Sequence, residues 1–265
     1  MKKQLAKVVN NYGRTIQHLC REIPGEFKAD MIHDLRVAYK KLRAFIRLLQ
    51  VADRKLQLPD DLKLIYRSCG TVRDLQLVLE KLEPQEDSFP KFIKSLHHDL
   101  FLAKELLVLN IEDVSVSSSI KELREKLPSK IDEDTVRQFV QQKIASIKIL
   151  LLALEHEEEL HGIRKALKDL IYVKKILKEE LPINYPFNEW KSDQKLLDLT
   201  TLLGDLNDKY IALSYFDEDS IQHMPDEEQL QLKQLQQHWT EEKDQLQLKA
   251  MTQVKTLQRY LKQTN

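Results

Sequence analysis

Five basic side chains stand at helical spacing early in the chain: His33, Arg36, Lys40, Arg43 and Arg47. On an α-helix they fall within an arc of roughly 80°, and that arc contains no acid. Leu35, Ala38, Leu42, Phe45, Ile46 and Leu49 fall on the opposite side. A surface helix ordinarily mixes acids and bases on its polar face. A stripe of one sign repels itself and favours an anion laid against it. Arg offers a planar fork that holds a phosphate through two hydrogen bonds, and Lys offers a compact point charge. From His33 to Arg47 the row spans about 21 Å, a length suited to a linear anion with repeating charges. A compact ligand such as a nucleotide needs converging groups instead. The plain alternative is a solvated basic face.

The pattern recurs, which weighs against that alternative. His33-x-x-Arg36-x-x-x-Lys40 is repeated as His161-x-x-Arg164-x-x-x-Lys168, and Lys175 stands at the offset of Arg47. Lys41 and Lys165 lie at the edges of the two arcs. Gly70-x-x-x-Asp74 recurs as Gly204-x-x-x-Asp208. Two motifs repeated in the same order point to an internal duplication. The expected fold is all-α, and the duplication suggests two helical bundles related by a pseudo-twofold axis, an arrangement that brings both basic helices to one shared cleft.

The neighbouring residues admit two readings each. His33 and His161 are either additional donors to an anion or neutral hydrogen-bonding residues at helix starts. Gly70 and Gly204 sit inside helical patterns, where Gly costs about 1 kcal/mol relative to Ala, so each marks either a close helix crossing or a kink. Asp74 either orients a basic side chain or forms a local surface pair, and Arg73 extends the basic surface. His156-Glu157-Glu158-Glu159-Leu160-His161 superficially resembles a zinc-protease helix, but its His residues are five apart and do not share a face. His97 and His98 are adjacent and point in different directions. No Gly-rich phosphate loop, Gly-x-Ser-x-Gly or metal-spaced cluster occurs, so no enzyme, cofactor or metal site is expected.

The elements that must position these residues are helices. Only 5 glycines and 8 prolines occur in 265 residues, and no long segment alternates with period two. Helical patterns run over Lys3–Glu22, Phe27–Ala52, Asp60–Leu82, Phe89–Leu109, Ile120–Leu127, Asp134–Ala153, Glu157–Glu180, Asn188–Asp217 and Asp226–Lys262. Pro24-Gly25, Pro59, Pro84 and the stretch Pro182 to Pro186 punctuate them. Asp132-Glu133-Asp134 reads as an acidic helix start. The Ser-rich segment Asp113 to Ser119 reads as the boundary between an N-terminal half, 1–113, and a C-terminal half, 114–265.

The 42 basic residues are balanced by 42 acidic ones, which argues against a surface basic overall but not against a local basic cleft. Cys20 and Cys69 are too few for a disulfide framework, so a reduced cytoplasmic setting is expected. The start, Met1 to Lys7, has bases but no apolar segment behind them, and is a poor signal peptide. The most apolar run, Ile147 to Leu154, is interrupted by Lys148 and is too short to span a membrane.

The segment from His33 to Leu49 resembles the signature helix of the CHAD family, the conserved histidine α-helical domain, through His33, Arg36, Val37, Lys40, Lys41 and Arg43. Gly70, Arg73, Asp74 and Leu75 resemble the family's second motif. His161, Arg164, Lys168 and Tyr172 resemble the third, and Leu203, Gly204, Asn207 and Asp208 the fourth. The four stand in the family's order and cover nearly the whole chain. Ile171 departs from the pattern, which has an Arg there, so the second stripe is thinner than the first. The resemblance implies two four-helix bundles around a basic cleft or channel. It implies inorganic polyphosphate as the partner and association with polyphosphate granules. The chain has no room for the triphosphate-tunnel enzyme domain fused to some relatives, which implies a stand-alone, non-enzymatic binding module. Metal chelation by the family's histidines finds little support in the spacing here. Single-stranded nucleic acid is the less favoured ligand because aromatic stacking platforms are missing: Tyr39 lies off the arc. A polyphosphate-processing enzyme is the third reading, and it requires metal-binding carboxylates in the cleft. The expected contacts are His33, Arg36, Lys40, Lys41, Arg43, Arg47, Arg73, His161, Arg164, Lys165, Lys168 and Lys175.

Overall fold

The apolar positions opposite the first basic stripe are all buried: Leu35, Ala38, Leu42, Phe45, Ile46 and Leu49 are each at most 5% exposed. They belong to α2, Ala29–Ala52, in a computed structural model that describes residues 1–185 and 193–262. The described residues are helical and contain no strand, as the composition requires. Ala44 and Leu48 are also fully buried, although they project beside the basic stripe. The reason is that α2 is central. It packs on α1 (Lys2–Glu26) and α3 (Asp60–Leu82), and also on α6 (Glu133–Leu152) and α7 (Glu157–Glu180).

The pairings of the two halves run in parallel. α1 packs on α2, α2 on α3, and α3 on α4 (Pro90–Asp113). In the second half α6 packs on α7, α7 on α8 (Asp193–Leu213), and α8 on α10 (Asp226–Lys262). The halves meet where α2 crosses α7 and α3 meets α8. Glu228, buried on α10, accepts from the backbone N–H groups of Lys91 at 3.2 Å and Phe92 at 3.2 Å. A carboxylate from one half thus caps the start of α4 in the other, where the helix dipole favours negative charge.

Several boundaries differ from the sequence reading, each for a local reason. α1 continues through Pro24 and Gly25 to Glu26. The missing N–H of Pro24 falls in the last turn, and the helix is closed by Phe27, which adopts a left-handed φ of 49° and donates its N–H to Ile23 O at 2.8 Å. Gln76 Nε2 donates to the Phe27 carbonyl at 2.9 Å and holds that corner. α4 runs on past Leu109 to Asp113, because Asn110 donates to Ser68 Oγ at 2.7 Å across the α3–α4 contact. The Ser-rich stretch, read as the boundary between the halves, holds defined contacts. Ser115 accepts from the Ser118 N–H and starts α5, Val116–Glu125, while Ser119 is buried and donates to Asp61 at 2.9 Å. α5 follows residue 113 yet packs on α1 and α3.

Asp132 caps α6 by accepting from the Thr135 N–H, as its acidic start suggested. His156 forms a reciprocal cap with Glu159 at the start of α7, which gives it a structural role. The expected helix from Asn188 is described from Asp193, and residues 188–192 lie outside the described set. It ends at Leu213, and a short α9, Glu218–Gln222, capped by Asp217, precedes α10. Cys20 and Cys69 are buried as free thiols, and burial pushes each up to about 12. Among the described residues no helix is long and apolar enough to cross a membrane.

Candidate functional site

The crossing of α2 and α7 brings the two basic stripes together at Lys40. Burial, then Arg36, Arg164 and Arg43, hold the Lys40 ammonium down to about 8, while Asp208 acts in the opposite sense. Two of those arginines share its helix and the third comes from α7. Lys165 on α7 is lowered by burial and then by Arg43 and Arg47 of α2. His161 is lowered by burial first, then by Lys165, Arg164 and Lys40, while a hydrogen bond with Asn207 favours its charged form. A like-charged cluster drawn from two helices is unfavourable when empty and is relieved by an anion.

Aromatic faces and a bare backbone hold the arginines. The rings of Tyr39 and Tyr66 stack with centroids 4.2 Å apart and planes 17° apart. Arg36 lies over the Tyr66 ring at 5.1 Å, and Arg43 lies 5.8 Å from Tyr39 and 5.5 Å from Tyr66. Such contacts fix a guanidinium by its face and leave its N–H edge free to donate. A Cβ on Gly70 would stand 2.5 Å from Arg36 Nη1, and one on Gly204 3.4 Å from Arg164 Nη2. The two helix-interior glycines are therefore close-approach sites for the matching arginines of the two stripes. Among the described residues Arg43 Nε and Arg164 Nε are both buried with no hydrogen-bond partner.

Three carboxylates balance part of this charge. Asp74 on α3 is raised by burial. Arg36, Lys40 and Arg73 oppose that shift and Asp208 adds to it, so the two motif acids lie near one another across the α3–α8 contact. Asp169 on α7 is buried and accepts from Arg47 Nη1 at 2.8 Å and Lys143 Nζ at 2.7 Å, tying α2 to α6 and α7. Beside this clamp lies a cleft of about 640 Å³ bordered by Arg47, Gln50, Arg54, Gln142, Lys143 and Lys165.

The expected contacts are placed unevenly. Arg36, Lys40, Arg43, Arg164 and Lys165 belong to the cluster, and Lys168 adjoins it, lowered by burial and then by Arg164. His33 is lowered by partial burial first and then by Arg73, which puts Arg73 beside the start of the stripe. Arg47 lies along the same row but has one N–H committed to Asp169. Lys41 is half-buried in the middle of α2, beside the basic row. Lys175 is exposed and pairs with Glu179 of its own helix at 3.8 Å. Ile171 packs against the hydrophobic core, which explains a side chain without charge at that position.

Sequence reasoning missed Tyr66, Arg54, Lys143 and Asp169. Arg54 had a signal, since it follows Arg47 by seven residues and so continues the row past the end of α2. Asp169 stands among Leu167, Leu170 and Val173, but an acid at the margin of an apolar face gives no indication of its partners. Among the described residues no group of three or more His, Cys, Asp or Glu is arranged to hold a metal ion.

A family model described as CHAD domain matches residues 12–215. The CHAD domain from the plant Ricinus communis superposes with a TM-score of 0.69 at 16% identity, covering 100% of this chain and 92% of that one. PptA from Streptomyces chartreusis superposes with a TM-score of 0.69 at 14% identity, covering 97% of this chain and 99% of that one. At these identities the likeness is one of fold. A Lon protease of Campylobacter concisus is 31% identical over 145 residues. That match takes in 52% of this chain and 18% of the protease, so the chain spans about a fifth of that relative's length.

Proposed function

Given that the chain belongs to the CHAD domain family, we propose that it binds inorganic polyphosphate non-covalently in the basic cleft where α2 crosses α7. Arg36, Lys40, Arg43, Arg47, Arg164 and Lys168 donate to phosphate oxygens. His33, His161, Arg73 and Lys165 extend the contact, and Lys41 and Lys175 lie at its margins. The observation that carries this reading is the position of Lys40, surrounded by Arg36 and Arg43 from its own helix and Arg164 from the other half. The same reading takes the parallel helix pairings as two four-helix bundles, within 1–113 and 114–265, related by a pseudo-twofold axis through the α2–α7 crossing. It takes cytoplasmic polyphosphate granules as the place of action.

The module acts by binding rather than by catalysis. The acids near the cleft face cations: Asp74 faces Arg36, Lys40 and Arg73, and Asp169 holds Arg47 and Lys143. Such acids serve to balance charge. Single-stranded nucleic acid is the competing ligand for a basic row, and binders of that kind stack bases on open aromatic faces. Tyr39 is buried and stacks on Tyr66, and both rings face the arginines, so the pair is already occupied.

Titration with long polyphosphate, short polyphosphate and single-stranded RNA at two salt concentrations tests the proposal. Long polyphosphate should bind tightest and weaken as salt rises, by analogy with a log–log slope of about −0.7 per phosphate contacted. RNA bound as tightly as polyphosphate would sink the reading. Metal-dependent release of phosphate, lost on Asp74→Asn or Asp208→Asn, would replace it with an enzyme.

A further inference from the structure

Helix α4 carries its charges against its own dipole. Lys91 and Lys94 lie near its N-terminus, and Glu112 and Asp113 close its C-terminus. An isolated helix favours the reverse, acids first and bases last. Between these ends Phe101, Leu102, Leu106 and Leu109 are all more than half exposed. Lys91, Lys94, Glu105, Glu112 and Asp113 are exposed too, and all nine positions fall within an arc of roughly 140°. The core-facing side, with Phe92, Leu96, Leu100, Ala103 and Leu107, lies opposite. Among the described residues Lys94, Glu112 and Asp113 have no ion-pair partner in their own chain. Apart from His98 and Glu105, the outer face therefore reads basic, apolar, acidic along a helix of 24 residues, about 36 Å.

We propose that this face of α4 is a dimer interface, taking the same face of a second copy of this chain in antiparallel register about a twofold axis near residues 103–104. In that register Lys94 meets Glu112 and Asp113 of the second copy, and the reciprocal pairs form at the other end. Leu102 meets Leu102 and Leu106 of the second copy, Phe101 flanks Glu105, and the acids of each copy lie at the positive end of the other's helix. The ends of the pattern are self-complementary, as a closed twofold interface requires, while the two Glu105 side chains adjoin each other beside the axis and weaken the dimer. A parallel pairing would set like charges against each other. Pairing along one helix gives an interface near the lower end of specific ones, about 1,200 Å² in total, so the dimer is concentration-dependent. α4 packs on α3 and α1 and stands outside the α2–α7 crossing, so the inference does not depend on the nature of the anion.

Analytical ultracentrifugation of the full chain over a range of concentrations tests it. The mass should rise from the 31.3 kDa of one chain to twice that, and Leu106→Glu should hold it at one chain. Lys94→Glu, which removes no apolar contact, should weaken the dimer at least tenfold, and Glu112→Lys combined with it should recover most of the loss. Unchanged circular dichroism would show that these exposed substitutions leave the fold intact. A wild-type chain that stays monomeric throughout would overturn the proposal. So would a dimer indifferent to Leu106→Glu, and failure of the charge swap to rescue would overturn the antiparallel register.

Discussion

The Arg36 guanidinium occupies the space that a side chain at Gly70 would fill, because a Cβ there would stand 2.5 Å from Arg36 Nη1. The clash is with the far end of a flexible side chain, so Gly70→Ala displaces the guanidinium rather than the helix. Ala gains about 1 kcal/mol over Gly inside a helix, which offsets the displacement. Gly70→Ala should therefore lower polyphosphate affinity several-fold without lowering the melting temperature. Gly204→Ala should do less, since its Cβ would lie 3.4 Å from Arg164 Nη2, in ordinary contact. Paired titration and thermal melting of the two variants check both halves of the statement. Equal affinity for wild type and Gly70→Ala would remove Arg36 from the contact set.

Asp169 is the buried counter-charge for Arg47 and Lys143, whose side chains are 36% and 20% exposed. Removing one member of a fully buried pair costs about 3–5 kcal/mol, and the partial exposure of the two cations reduces that to roughly 2 kcal/mol. Asp169→Asn keeps the shape and removes the charge. It should destabilise the protein by that amount in urea denaturation and, by freeing Arg47 Nη1, tighten polyphosphate binding. Stability and affinity moving in opposite directions is the signature of an internal anion competing with an external one.

The first stripe was legible in the sequence because one helix carries all of it and helical spacing alone defines its arc. Its apolar opposite face was legible for the same reason, and each of those six residues is buried. The depth of the site was not. Ala44 and Leu48 read as neighbours of a polar face, yet both are fully buried, because α2 is enclosed by α6 and α7 as well as by α1 and α3. Tyr66, Lys143 and Asp169 act across helix contacts, and no spacing within one segment encodes such contacts. Pro24-Gly25 misplaced the end of α1, because the residue taking the left-handed conformation is Phe27.

Lys40 sets the direction of the pH dependence. Its ammonium is held at about 8, against 10.5 for an ordinary lysine, so between those values the unfolded chain binds more protons than the folded one. The anion-free protein should therefore gain stability as pH rises across that window. A bound polyanion favours the charged form, so binding takes up a proton and affinity should fall as pH climbs through 8. Titrations at pH 7 and pH 9.5 at fixed ionic strength should show the loss, and Lys40→Arg should flatten it. His33 and His161 are both lowered from 6.5, chiefly by burial, and so are largely neutral at pH 7 in the empty cleft. Affinity should rise again as pH drops below 6.5, and the combined His33→Gln and His161→Gln variant should lose that rise.

Arg36 and Arg164 hold corresponding places in the two stripes and both act on Lys40. Reversing either charge inserts a carboxylate into the same cluster, so Arg36→Glu and Arg164→Glu should each weaken polyphosphate binding at least tenfold. Each should also reduce the log–log salt slope by about 0.7, the share of one phosphate contact. Lys175 supplies the contrast: it is exposed and paired with Glu179, so Lys175→Ala should change affinity less than twofold. If Arg164→Glu behaves like Lys175→Ala, the anion follows α2 alone and the second stripe is a solvated face. If both arginine reversals act and their combination exceeds either one, one polyphosphate chain is gripped from both helices at the crossing.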